Sequence, residues 1–389
     1  MAADPLRVLF LYDAPPDLRA HLASELSGVP VEAEYAAADH PLDDPGLLER
    51  AAQADVLVGW KPSAGLLAAA QRARLFQLPW AGVGPLLPAF VSGNALRAEA
   101  GLPPLPLANN HGVCPPTAQH AVAMLLALTN QLVPHHAWMR EGRWRLGDSA
   151  ARSVPLRDDV TVGLLGYGAI NQLVHRLLTP FHVRFTALKR HWDNAHSESG
   201  DLVLLSCFTP DGLSSFLRTA DILVIALPHT PQTEGMLGAE ELRLLGADGR
   251  ERRPRPGPAV VLPGAAGQPT EAPAVSGPLG GLPLLVNVAR GAVIEEAALF
   301  AALREGTLAG AALDVWYDYQ PPPDAQGRRF PWQDPIAHPF HELPNVLLSP
   351  HRAASPLDDL RRWDPVIDNL RRLAQGAAPH SVVDLAAGY

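Results

Sequence analysis

The run from Val160 to Asn171 restricts this chain more than any other stretch. Val160, Val162, Leu164 and Leu165 read as a short buried strand. Gly166, Tyr167 and Gly168 then force a tight turn, and Ala169 to Leu178 read as a helix with Ile170, Val174, Leu177 and Leu178 on one face. Strand, glycine turn and helix form the first half of a dinucleotide-binding βαβ unit. Gly166 permits a turn that a side chain would block, and Gly168 lets the backbone approach a pyrophosphate. The helix N-terminus offers free N–H groups and a positive dipole end to the anion. Gly166, Tyr167, Gly168, Ala169 and Ile170 are therefore expected to hold the pyrophosphate. Asn171 stands where a third glycine is usual, which predicts altered helix–strand packing or phosphate approach.

A length of 389 residues suggests two domains, and 47% hydrophobic residues can bury a sizeable core. The net charge is −9 and no basic run occurs, which argues against nucleic acid as a main partner. The N-terminus has no leader pattern, and no apolar run reaches the ~18 residues of a membrane span. No membrane partner and a soluble cytoplasmic protein are expected. Cys114 and Cys207 lie far apart, so neither a disulfide framework nor a four-cysteine zinc site is supported, and no metal is expected.

Apolar runs at 7–12, 31–35, 54–59, 75–78 and 105–108, with helical stretches at 17–26 and 64–74 between them, predict a small parallel α/β lobe. A long apolar helix is expected over 117–133. The arm that follows, to Arg145, carries Trp138 and Trp144, which mark a subunit interface or pack under a loop. Further strands are expected at 183–188, 220–227, 284–288, 309–314 and 345–348, and a helix at 357–375. The last residues, Val382 to Asp384, are expected to pack on the first lobe. Residues 246–283, rich in Gly, Pro, Ala and Arg without periodicity, read as a loosely packed surface insertion.

Four segments together resemble the D-isomer-specific 2-hydroxy acid dehydrogenases: Gly163 to Ile170, Leu227 to Gly235, Val286 to Val293 with Ala311 to Trp316, and Leu343 to His351. The resemblance covers most of the chain outside the insertion. It implies an α/β protein of two lobes, each a doubly wound parallel sheet, with a Rossmann-type nucleotide domain and the active site in the cleft. A substrate-binding lobe of 1–113 plus 351–389 and an NAD(P)-binding domain of 114–350 are expected, as is a homodimer through the nucleotide lobe.

Such a reaction moves a hydride between the nicotinamide and the substrate carbon. It needs a cation for the substrate's carboxylate and carbonyl and a proton donor for the nascent alkoxide. Arg290 directly follows a strand and fits the first role; its guanidinium can grip two planar oxygens at once. Capping a helix or pairing with Asp314 is the plainer alternative for it. His351, one of 15 histidines, sits in the family's Pro-His context and fits the second role. The family usually places a glutamate five residues after the aspartate, where it orients the histidine; here Tyr319 stands there. A one-residue slip puts Gln320, before Pro321, in that role, as in the formate dehydrogenase branch, although Val113 replaces that branch's asparagine. Asp318 is the third possibility. A glutamine partner predicts a His351 pKa near its free value and an activity optimum at lower pH. Backbone amides of Ala81, Gly82 and Val83 are expected to bind the substrate carboxylate, with Trp60 lining the same cleft or lying in the core.

The acidic residue that usually ends the second strand and binds the ribose hydroxyl is replaced by Lys189, followed by Arg190. These cations attract a 2′-phosphate, so NADP is favoured over NAD. Leu227, Pro228 and Thr233 are expected to border the adenosine half, and Ala289 and Asp314 to lie near the nicotinamide. The leading reading is reduction of a small 2-oxo acid to a D-2-hydroxy acid. A nucleotide-binding protein with little catalysis, and a formate dehydrogenase-like activity, are the alternatives.

Overall fold

A computed structural model describes residues 4–37, 41–144, 153–192, 202–248 and 283–388. Most of the expected insertion, and Arg145 at the end of the arm, lie outside the described residues. The chain divides into two compact units, Met1–Val113 with Pro356–Tyr389, and Cys114–Ser355.

The first unit is a parallel five-stranded sheet of β1 (Leu6–Phe10), β2 (Val31–Tyr35), β3 (Val56–Val58), β4 (Leu75–Gln77) and β5 (Leu107–Ala108), in the order β2-β1-β3-β4-β5. Helices α1 (Pro16–Glu25), α2 (Pro45–Gln53), α3 (Ala64–Ala69) and α4 (Leu87–Glu99) connect the strands. Asp44 and Ser63 start α2 and α3 by accepting the amides of Leu47 and Leu66. The central strands β3 and β4 are buried throughout, as parallel strands covered on both faces must be. The Val383 amide donates to the Leu107 carbonyl, so the C-terminal segment packs within this unit.

The second unit opens with α5 (Cys114–Thr129) and α6 (Leu132–Arg140). The single helix expected over 117–133 is broken because Gln131 takes a left-handed φ of 53° and its side chain donates to the Leu128 carbonyl. The sheet is parallel and seven-stranded: β6 (Thr161–Leu165), β7 (Arg184–Leu188), β8 (Ser206–Phe208), β9 (Ile222–Ile225), β10 (Leu284–Asn287), β11 (Gly310–Leu313) and β12 (Val346–Leu348). The order β12-β11-β10-β9-β6-β7-β8 reverses direction between β6 and β9, the switch point of a doubly wound nucleotide-binding sheet. Strand β8 escaped the sequence reading because it is a short edge strand with little apolar patterning. Helix α7 (Ala169–Leu178) follows β6. Helices α8 (Leu213–Thr219), α9 (Ala239–Leu244) and α10 (Glu296–Arg304) pack into the same apolar core as Ile225, Leu285 and Leu313.

This unit runs to Ser355, beyond the expected boundary at Pro350. Ala353 packs in its core, and the buried Asp314 carboxylate accepts the Arg352 and Ala353 amides. The last helix is α11 (Asp364–Ala374), preceded by a single 3-10 turn from Leu360, rather than one helix from 357. Pro365 belongs in a first turn and cannot sit inside a helix.

Candidate active site

Every expected nucleotide and catalytic residue of the second unit lies in or after a segment leaving the C-terminal end of a strand. In a parallel sheet these ends share one edge, where ligands of this architecture bind. After β6, Gly166 has φ +83°, and a Cβ there would meet Leu227 Cβ at 2.6 Å and the Ala226 carbonyl at 2.7 Å. Only glycine fits. A Cβ built at Gly168 meets nothing within 4 Å, so the backbone before α7 is open to a ligand. Tyr167 between them is buried, and its hydroxyl bonds His175 Nδ1 at 2.8 Å. Burial lowers the His175 pKa to about 4 and keeps that imidazole neutral. Ala169 and Ile170 form the first turn of α7. Asn171 sits at the helix–strand join: its buried amide points at the carbonyls of Leu165, Gly166 and Val224 at 3.2, 2.9 and 3.2 Å. It ties α7 to β6 and β9 where a third glycine would allow close packing. This cradle, open above Gly168 at a helix N-terminus, fits a dinucleotide pyrophosphate.

Lys189 and Arg190 leave the end of β7 half-buried, with the Lys189 amide bound to the Phe208 carbonyl at 3.0 Å. Beyond β9, Leu227 is half-buried and Pro228 exposed. Thr233 Oγ1 donates to the Pro228 carbonyl at 2.8 Å and accepts the Thr230 amide at 2.8 Å, which closes the turn on itself.

Arg290 follows β10 on a turn held by Asn287. The Asn287 side chain donates to the Arg290 carbonyl at 3.1 Å and accepts the Ala289 amide at 3.0 Å. A Cβ on Gly291 would lie 2.3 Å from the Trp316 carbonyl oxygen, so the residue after Arg290 must be glycine for the segments to meet. The half-buried Arg290 donates only to the Ala289 carbonyl, at 2.7 Å, and forms no ion pair with Asp314 among the described residues. It does not cap a helix through its side chain.

His351 follows β12 with φ 56°, a left-handed backbone uncommon for a side-chain-bearing residue. Loss of surrounding water lowers its pKa below the ordinary imidazole value, the Asp314 carboxylate opposes this, and the Arg290 cation adds to it. Asp314 and Arg290 are thus both close enough to act on the charge of His351. Tyr319 packs its ring against His351, centroids 5.1 Å apart at 56°, and remains 50% exposed. The Gln320 expectation needs correction: Gln320 is exposed, its side chain makes no hydrogen bond among the described residues, and its amide donates to Asp318 Oδ1 at 2.8 Å. Tyr319 is the residue of this loop whose ring meets the imidazole. The Asp318 carboxylate is taken up in the same local turn.

In the first unit, the Ala81–Val83 loop follows β4. Asn109 Nδ2 donates to the Ala81 carbonyl at 2.9 Å, Gly82 is exposed and Val83 is buried. Trp60 is 39% exposed and packs against Tyr12, ring centroids 4.4 Å apart, so it is not a core residue.

The family model described as "D-isomer specific 2-hydroxyacid dehydrogenase, NAD binding domain" matches residues 122–250 and 282–353, more than half of the chain. The chain belongs to that family. A glyoxylate reductase of Korarchaeum cryptofilum is 28% identical over 69% of this chain and 65% of its own length, so the chain spans less than two thirds of that relative. A glyoxylate/hydroxypyruvate reductase A of Serratia proteamaculans is 27% identical over 86% of this chain and 88% of its own length. Among solved structures, an NADPH-dependent glyoxylate/hydroxypyruvate reductase from Sinorhizobium meliloti, in complex with NADP and sulfate, aligns over 98% of this chain and 99% of its own, with TM-score 0.65 and 25% identity. The second unit is thus the family's NAD-binding domain.

Three polar residues of this family member were not singled out from the sequence. Asn287 holds the Arg290 turn, Ser349 Oγ donates to Asp314 Oδ1, and His120 Nε2 meets Ser349 Oγ at 3.0 Å. Asn287 and Ser349 lie inside the quoted motifs, so position beside Arg290 and His351 was the available signal; His120 had none. No cluster of His, Cys, Asp or Glu among the described residues could hold a metal ion, and no described helix is long and apolar enough to cross a membrane.

Proposed function

We propose that this chain reduces a small 2-oxo acid, such as glyoxylate or hydroxypyruvate, to the D-2-hydroxy acid, with NADPH preferred to NADH. The observation that carries the reading is the convergence of Arg290, Asp314 and His351 on the sheet edge that also bears the Gly166–Ile170 cradle. Gly166, Tyr167, Gly168, Ala169 and Ile170 would hold the pyrophosphate, Lys189 and Arg190 the 2′-phosphate, Leu227, Pro228 and Thr233 the adenosine half, and Ala289 and Asp314 the nicotinamide end. When bound, the cofactor supplies the hydride. Arg290 grips the oxygens of the substrate and stabilises the charge that develops on the carbonyl oxygen. His351, as imidazolium, donates its proton to that oxygen. Backbone amides of Ala81, Gly82 and Val83 are the proposed donors to the carboxylate.

Tyr319 gives His351 a packing surface but no negative charge, and among the described residues no carboxylate is hydrogen-bonded to the imidazole. The protonated form is the donor. Reductive turnover is therefore fullest below the lowered His351 pKa and is lost as pH rises through it. NADPH oxidation with glyoxylate and hydroxypyruvate, followed from pH 5 to 9, is expected to peak on the acid side, below about the free imidazole value of 6.5. An optimum above about pH 8 would contradict a histidine without a carboxylate partner. Tight nucleotide binding with no oxidation across a 2-oxo acid panel would point instead to a binding protein.

A homodimer through the nucleotide unit is part of the proposal. It is supported by α6 and its following turn, where Leu132, Val133, Met139 and Trp144 are exposed while Trp138 is half-buried. Sedimentation is expected to report twice the chain mass; a monomer at micromolar concentration removes this part.

A further inference from the structure

The segment that carries His351 is anchored by Asp314 together with two side chains, Ser349 and His120, to which the chemistry above assigns no part. Asp314, 1% exposed at the end of β11, accepts the amides of Arg352 at 2.7 Å and Ala353 at 2.9 Å, on the C-terminal side of His351. On the N-terminal side the Ser349 hydroxyl donates to the same carboxylate. One carboxylate thus grips the chain two residues before the histidine and one and two residues after it. Such a double anchor is what a left-handed φ of 56° at His351 requires, since a side-chain-bearing residue left to itself would relax out of that region.

The anchor has a further member. His120 of α5 places Nε2 3.0 Å from Ser349 Oγ and 3.6 Å from Asp314 Oδ1. Ser349 has one proton, and the carboxylate, which only accepts, takes it. The Ser349 oxygen is left to accept, so the hydrogen in the contact with His120 belongs to Nε2. We infer that His120 is a positioning residue for His351. Its Nε2–H holds the Ser349 hydroxyl on Asp314, and Asp314 then holds the 349–353 segment in the turn that presents the imidazole. The inference rests on the reading of His351 as the proton donor.

The test compares the full chain with His120→Leu, Ser349→Ala, the double variant, His120→Gln and His351→Asn, using NADPH with glyoxylate or hydroxypyruvate. His120→Leu is expected to lower kcat by about 10- to 100-fold, the size of a misplaced catalytic group. The 2-oxo acid KM and the NADPH Kd, read by fluorescence quenching, should stay within about twofold, because His120 touches neither ligand in this scheme. Ser349→Ala removes a single oxygen and should reproduce the loss. The double variant should be no worse than the more damaging single one, since the two act through one contact. His120→Gln, which keeps an N–H donor, should recover most of the rate. An unchanged kcat in His120→Leu overturns the inference. So does a loss that raises KM and Kd in step, or one that tracks a lowered Tm without recovery in the glutamine variant. His351→Asn separates the two levels. If it stays fully active, the donor reading itself fails. If it is inactive while His120→Leu is unaffected, only the positioning role is lost.

Discussion

Arg290→Ala is expected to cost about 10²- to 10³-fold in kcat/KM for 2-oxo acid reduction, the loss typical of deleting a donor to a developing oxyanion. The fold should survive. Arg290 is half-buried, its side chain among the described residues bonds only the neighbouring Ala289 carbonyl, and the turn beneath it is held by Asn287 rather than by the guanidinium. Melting temperature and NADPH affinity should therefore be near those of the parent while turnover collapses. Arg290→Lys should recover only part of the rate, since an ammonium is a point charge and cannot hold two oxygens in one plane. A variant that keeps most of its turnover would remove Arg290 from the reaction. The His351 imidazole offers a second readout. The Arg290 cation lowers its pKa, so the alanine variant's residual activity should persist to higher pH.

Lys189→Asp combined with Arg190→Ala is expected to shift the NADPH-to-NADH ratio of kcat/KM toward NADH by about 10²- to 10³-fold. The change removes two cations from the 2′-phosphate and sets a like charge beside it, together on the order of 3–4 kcal/mol, and each 1.4 kcal/mol is tenfold. The effect should be confined to cofactor discrimination. Lys189 joins the sheet through its backbone amide, at Phe208, and that bond is indifferent to the side chain. Parallel titrations with the two reduced cofactors measure the ratio directly. If it does not move, the cations at the end of β7 are a solvated loop tip, and the NADPH preference has to be withdrawn.

Much of the architecture could be read from the residues because a parallel sheet covered on both faces demands continuous apolar strands. The runs around Leu164, Val224, Val286 and Ala312 are such strands, and all four are buried. The chemistry was legible for a related reason. Gly166 and Arg290 each stand just past one of those runs, and His351 just past the edge strand β12, at the strand ends where a doubly wound sheet gathers its ligands. Short edge strands such as β8 gave no comparable signal, because burial on neither face dictates their composition.

The sequence by itself determined the α/β class, the nucleotide turn and the pair of catalytic candidates, since backbone sterics and strand burial act locally along the chain. The partner of His351 was decided only in three dimensions. Gln320, Tyr319 and Asp318 are consecutive, and which of them faces the imidazole depends on how the loop after Trp316 turns, not on residue type. The same holds for the anchor beneath it. His120, Asp314 and Ser349 belong to a helix and two strand ends far apart in sequence, and only the packing of α5 beside β11 and β12 brings an imidazole, a hydroxyl and a buried carboxylate into one hydrogen-bonded group.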